Sequence, residues 1–258
     1  MKNCKSVDSN YYIEYFTLER NHWWFKARLN ILRSQVSTFS LSPDAKILNI
    51  GIATGATSEM LEAFGKVKSS EYDKACFDFV KEKLPQLDID NGSILELPYA
   101  DNSYDLVCAF DVIEHVENDA LAVSEMLRVC KPGGCVFVTV PAFEFLWSEH
   151  DEVNHHFRRY TKRQLKKLFK EKSEIKFSSY FNFLLFSPIA GFRILSRLLP
   201  KKFFRKKNEA GSDFSVYQPG FTQSLFYRIM LSENILLKRK IGLPFGVSIM
   251  IAAKKVAR

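Results

Sequence analysis

Two groups of residues in this chain have the types and spacing to do chemistry. The first is the run Lys46-Ile47-Leu48-Asn49-Ile50-Gly51-Ile52-Ala53-Thr54-Gly55-Ala56, in which an apolar strand passes through small residues into a helix. Small side chains let the backbone bend sharply and approach a ligand at the carboxyl edge of a sheet. A dinucleotide fingerprint G-x-G-x-x-G would need glycine at 51, 53 and 56, yet Ala53 and Ala56 stand at two of those positions. The spacing instead reads G-x-A-x-G, with Gly51 and Gly55 flanking the bend, and this disfavours a nicotinamide-linked oxidoreductase. The second group comprises Glu114 and His115, then His150, Asp151, His155, His156, Arg158, Arg159 and Tyr160. Imidazole is the side chain best tuned to take a proton near neutral pH, so His115 and His150 are the candidate catalytic bases. His155, His156, Arg158, Arg159 and Tyr160 are candidate substrate contacts, the two arginines suiting a carboxylate or phosphate. The spacing of these histidines and Asp151 matches neither H-E-x-x-H nor a Cys/His finger, and no metal is expected.

These groups need a frame, and the chain supplies one. Its 258 residues are 47% apolar and 26% charged, which excludes collagenous and disordered classes and fits one large domain, or one domain with an insertion. From Ala45 to Val140, short β-branched runs alternate with amphipathic stretches, the pattern of βαβ units and a parallel sheet. Strands are expected at 46–50, 67–71, 87–91, 104–110 and 135–140. Helices fill the gaps: Thr57 to Phe64 stopped by Gly65, Lys74 to Leu84 stopped by Pro85, and Ala120 to Val129 ended by Pro132-Gly133-Gly134. A helical segment from Tyr11 to Phe39 precedes the core, with Trp23, Trp24 and Phe25 read as a cover over the site. A polar loop at 141–160, a helix at 161–171 and strands at 174–180 and 247–253 follow it. The five cysteines, Cys4, Cys76, Cys108, Cys130 and Cys135, form no C-x-x-C pair and read as reduced thiols.

Five elements in order, ILNIGIATG, Glu71 at the end of the second strand, SILELPYADNSYDLV, DVIEHV and RVCKPGG, make the chain resemble a class I S-adenosylmethionine-dependent methyltransferase of the small-molecule, quinone-methylating type. The flanking HWWFKAR and LWSEHDEVNHHFRRYT narrow the resemblance to a bacterial-type subgroup. It implies an α/β, Rossmann-like fold: a seven-stranded sheet, mostly parallel with the last strand antiparallel, and helices on both faces. The implied domains are a helical cover at 1–44, the cofactor-binding core at 45–180, a basic, Phe-rich helical insertion at 181–240 and a final strand at 241–258. The resemblance further implies S-adenosyl-L-methionine as cofactor and S-adenosyl-L-homocysteine as product. Gly51, Ala53 and Gly55 would line its methionine and ribose parts, and Glu71 would accept hydrogen bonds from both ribose hydroxyls. Tyr72 would pack on the adenine, and Ile94 and Leu95 would sandwich it. Ser93 stands where an Asp usually bonds the adenine amino group. Asn49 stands where an acidic residue usually orients the loop, keeping an acceptor but no charge. Asp111 would face the methionyl part, and Arg28 would pair with its carboxylate. A general base matters in such a reaction when the acceptor must lose a proton.

The net charge of +8 hides an asymmetry. Residues 1–157 hold 14 Lys and Arg against 24 Asp and Glu, net −10, and residues 158–258 hold 23 against 5, net +18. Such a tail faces something anionic. Residues 189–207 place Phe192, Leu195, Leu198 and Leu199 at helical spacing, with Arg193 and Arg197 on another face and Lys201, Lys202, Arg205, Lys206 and Lys207 beyond. The run falls short of the ~20 apolar residues that a spanning helix needs. A cap helix that buries its stripe against the domain is the first expectation, and a helix lying on an anionic membrane surface the second. The N-terminus lacks the apolar core of a signal peptide, so a cytoplasmic protein is expected, peripheral at the inner face of the membrane in the second case. The acceptor is expected to be a small molecule, lipid-linked or glycan-type, and nucleic acid is disfavoured. The alternative is a non-catalytic module of the same fold that docks on membrane or a partner.

Overall fold

The computed structural model describes residues 9–170, 172–198 and 220–256. Helices α1 (Ser9–Asn21) and α2 (Trp23–Val36) lead into strand β1 (Lys46–Ile50), and α3 (Ala56–Leu61), β2 (Lys66–Glu71), α4 (Lys74–Lys83), β3 (Ile89–Asn91) and β4 (Tyr104–Phe110) follow. Then come α5 (Asp119–Val129), β5 (Cys130–Pro141), α6 (Glu149–Val153), α7 (Lys162–Leu168) and β6 (Ser173–Phe181). Helices α8 (Phe186–Leu198), α9 (Phe221–Ser232) and α10 (Asn234–Lys238) precede the last strand, β7 (Ser248–Lys255).

The seven strands form one sheet in the order β3-β2-β1-β4-β5-β7-β6. Strands β1 to β5 run parallel, and β7 lies antiparallel between β5 and β6. The order reverses between β1 and β4, and in such sheets the crevice beyond the carboxyl ends at that point is where ligands bind.

Successive side chains of a strand point to opposite faces, and both faces of this sheet are covered. Leu48, Val107, Ala109 and Val138 pack with Val123 and Met126 of α5 on one side. Ile47, Leu106, Phe137 and Met250 pack with Ile31 and Leu32 of α2 and Met60 of α3 on the other. Helix starts are fixed by side-chain caps: Asp73 accepts from the backbone of Ala75 and Cys76, Asn118 from Leu121, and Thr161 from Gln164.

Three local features depart from the sequence expectations. Strand β5 begins at Cys130, ahead of the Pro132-Gly133-Gly134 turn, because a register shift between Tyr104 and Leu106 lets Cys130 pair before the turn and Cys135 after it. The loop at 141–160 contains α6, nucleated by a capping box between Ser148 and Asp151. The apolar stripe of α8 is not buried: Phe192 is 60% exposed and Leu195 49%. Arg193 and Arg197 donate to the carbonyls of Leu146 and Trp147 and hold α8 in place, with Ala190 buried and Phe192, Ile194 and Leu195 exposed. The side chain of Leu198, and Leu199, Lys201, Lys202, Arg205, Lys206 and Lys207, lie outside the described residues.

Candidate active site

A cleft of about 2480 Å³ opens at the reversal point, walled by α1 and α2 on one side and by the loops after β1, β2, β4 and β5 on the other. The bend after β1 forms its floor. Gly51 and Gly55 have φ of +66° and +94°, and an added Cβ would lie 2.6 Å from Val112 and 2.8 Å from Leu84, so both need glycine. The Gly51 N–H donates to the Ser70 carbonyl at 2.8 Å, tying the bend to β2.

Glu71 sits against this bend. One carboxylate oxygen accepts from Ala53 N–H and the other from Asp73 N–H, each at 3.0 Å. Burial raises its pKa, and the two backbone N–H groups oppose that. Each oxygen keeps a lone pair for a further donor in the cleft.

Of the residues expected on the cofactor, Arg28, Gly51, Ala53, Glu71, Tyr72 and Asp111 line this one cleft, as do Ser93, Ile94 and Leu95. Tyr72 is 77% exposed at its rim. Gly55 and Asn49 do not line it. Gly55 shapes the bend, and Asn49 is buried beneath it, donating to Thr57 Oγ1 at 2.8 Å and Ser58 Oγ at 3.0 Å. Asn49 thus steadies the start of α3 from below.

Arg28 reaches across from α2 to Asp111 at 2.7 Å and to Thr139 Oγ1 at 3.3 Å. Its buried Nε has no hydrogen-bond partner among the described residues. Thr139 also donates to Asp111, whose backbone takes a φ of +59°. Sequence reasoning missed Thr139, although a hydroxyl inside the apolar run Val136-Phe137-Val138-Thr139-Val140 was a legible signal. It also missed Glu19 of α1, buried and bonded by Thr54 of the bend, which ties the cover to the loop.

The second group divides. His115, His150, His155, His156 and Arg159 line the cleft, whereas Arg158 and Tyr160 do not. Arg158 pairs with Asp119 at 3.1 Å and donates to the Glu117 carbonyl. Tyr160, 3% exposed, donates to Asp119 at 2.9 Å. Arg159 is 5% exposed and binds both oxygens of Asp151, at 2.8 and 2.9 Å. Neither arginine is therefore free to hold an anionic acceptor, because carboxylates of this chain already take their guanidinium groups. His156 Nδ1 lies 2.7 Å from Asp151 Oδ1, and both ring nitrogens of His150 lie against the Asn154 amide. Burial and the neighbouring His156 lower the pKa of His115 to about 4. Glu114, His115 and His156 bring a carboxylate oxygen and two ring nitrogens within 4.8 Å of one another.

Residues 48–138 match a family model described as a methyltransferase domain. The chain is 32% identical over 125 residues to a probable S-adenosylmethionine-dependent methyltransferase of Mycolicibacterium smegmatis, an alignment that covers 48% of each chain. It is 32% identical over 107 residues to a demethylmenaquinone methyltransferase of Renibacterium salmoninarum, covering 41% of this chain and 45% of that one. The chain thus aligns with about half the length of these curated relatives. Its fold is similar to a putative methyltransferase of Bacillus halodurans, with a TM-score of 0.54 at 18% identity, covering 87% of this chain and 100% of that one. It is also similar to a chain in the complex between the Haloferax volcanii Trm112 methyltransferase activator and the putative methyltransferase, with a TM-score of 0.60 at 12% identity over 96% of both. At these identities the structural likeness speaks to the fold.

Proposed function

We propose that this chain, whose residues 48–138 match a methyltransferase-domain family, is a class I methyltransferase that transfers a methyl group from S-adenosyl-L-methionine to a small-molecule acceptor, lipid-linked or glycan-type, and releases S-adenosyl-L-homocysteine. The observation that carries the reading is the Glu71 carboxylate, fixed by Ala53 and Asp73 N–H groups at the mouth of a glycine-bent loop and facing an open cleft. The residues fit the cofactor. The remaining lone pairs of Glu71 suit a vicinal diol, and the orphaned Nε of buried Arg28 suits a carboxylate.

The bound cofactor would supply an electrophilic methyl group on a sulfur that leaves uncharged. The protein then has to align two reactants and exclude water. In this reading Glu71 holds the ribose, while Tyr72, Ile94 and Leu95 flank the adenine beside Ser93. Gly51 and Ala53 leave room for the chain, Gly55 and Asn49 keep the bend in shape, and Arg28 and Asp111 receive the methionyl end.

The exposed Leu195 of α8 and the exposed Phe192, which also lines the cleft, stand beside Arg193 and Arg197 and support docking of residues 189–207 on an anionic surface, where a lipid-linked acceptor would be met. The name of the Renibacterium relative, a demethylmenaquinone methyltransferase, is in keeping with an acceptor of that kind.

Titration calorimetry of the purified chain tests the reading. Saturable heat with S-adenosylhomocysteine and none with NADH is expected. Heat with NADH alone would overturn it.

A further inference from the structure

Beside Asp111 the cleft holds a cluster that cofactor binding does not use. Glu114 is 0% exposed, and among the described residues neither of its carboxylate oxygens is hydrogen-bonded to another residue. A buried polar group left unpaired costs about 1–3 kcal/mol, so its retention calls for a ligand or a chemical role. His115 and His156 face it, their rings edge to face with centroids 4.5 Å apart.

His156 is the best placed of the three imidazoles. Its Nδ1 is fixed by Asp151 at 2.7 Å, and Arg159 and the Ser148 backbone fix that carboxylate in turn. A carboxylate bonded to one imidazole nitrogen sets the tautomer, presents the other nitrogen as an acceptor and steadies the positive charge that follows proton uptake. His115 has no such carboxylate among the described residues, and burial makes it a weak base. Both ring nitrogens of His150 face the Asn154 amide.

We propose that His156 is the catalytic proton acceptor of this site, with Asp151 and Arg159 as its positioning residues and Glu114 as a hydrogen-bond donor to the acceptor, and that the acceptor is a hydroxyl compound. The proposal rests on the methyltransferase reading and names the substrate class for the same cleft. As the acceptor oxygen bonds the methyl carbon and the carbon–sulfur bond breaks, the hydroxyl proton passes to the second ring nitrogen of His156. The sulfur departs as a neutral thioether, and the positive charge ends on the imidazolium beside Asp151. A neutral amine has its lone pair available without losing a proton, and an anionic acceptor needs no base. Around the cluster stand Asp111, Arg28 and Arg159 facing Glu114, and Asp111, His150 and His156 facing His115. Burial and Asp111 favour the protonated, donating form of Glu114.

The test uses the full chain saturated with S-adenosylhomocysteine and the chromophoric probe 4-nitrocatechol, whose absorbance reports loss of its phenolic proton without turnover. In the wild-type protein the ionisation midpoint of the bound probe is expected to fall by about one pH unit or more below that in free solution. His156→Asn keeps an N–H that can reach Asp151 but removes the second ring nitrogen. It should bind the probe and lose the shift, whereas His150→Gln should keep it. Equal midpoints in the wild type and His156→Asn, or a probe bound without ionising, would overturn the proposal. So would failure of the probe to bind when calorimetry shows S-adenosylhomocysteine bound, which leaves the methyltransferase reading standing. Failure of S-adenosylhomocysteine itself to bind removes both. A melting curve of His156→Asn superimposable on the wild type shows that the variant is folded, and if it is not, Glu114→Gln, which keeps a donor, should retain the shift where Glu114→Leu weakens probe binding.

Discussion

Asp151 joins the structure of the site to its chemistry. It is fully buried, accepts from Arg159 and the Ser148 backbone, and pairs with His156. These partners, led by the His156 and Arg159 hydrogen bonds, hold its pKa well below the usual carboxylate range against the cost of burial. A carboxyl depressed in the folded state contributes stability that is present above its unfolded pKa of about 3.9 and is lost as pH falls below that. Asp151→Asn should therefore lower stability at neutral pH by about 3–5 kcal/mol, the usual cost of leaving a buried charge unpaired. Denaturant unfolding at pH 7 and pH 3 should show the gap between wild type and variant narrowing at the acid end. A constant gap would contradict this account of Asp151. Before the structure, the sequence grouped Asp151 with the histidines but could not separate anchoring residues from those that face the cleft. Arg158, Arg159 and Tyr160 look like ligand contacts by type, and only the fold brings Asp119 and Asp151 to them.

At the scale of elements, the bend between β1 and α3 carries the site. Residue types announced it, since small residues between a buried strand and a helix have few other uses. Strands β1, β4 and β5 were legible as short apolar runs, and the largely polar β2 and β3 by their place between helices closed by turn signals. The start of β5 was not, because a bulge within a glycine turn leaves no periodic mark. The face of α8 was not either, because an apolar stripe alone does not say whether protein or another surface covers it. Gly51→Ala tests the bend. The new Cβ would lie 2.6 Å from Val112 at a φ of +66°, strain of about 1–2 kcal/mol. We expect a melting temperature several degrees lower, with loss of S-adenosylhomocysteine binding when measured below the transition. An unchanged melting curve would show that the bend tolerates a side chain.

At the scale of the whole molecule, the basic part of the chain also carries most of the exposed large apolar side chains among the described residues. The basic half contains α8, whose Phe192, Ile194 and Leu195 stand exposed, and α9, whose Phe221 is 83% exposed. Among the described residues no helix is long and apolar enough to cross a membrane. The chain should therefore float with anionic vesicles at low salt and not with neutral ones. Phe192→Ser combined with Leu195→Ser should reduce flotation several-fold, and equal flotation with both vesicle types would remove the charge argument. The central claim is that Glu71, braced on the bend, grips a nucleoside sugar, and calorimetric titration of wild type and Glu71→Ala with S-adenosylhomocysteine tests it most directly. Loss of two hydrogen bonds to a charged group should weaken binding on the order of 100-fold. Equal affinities in the two proteins would contradict it.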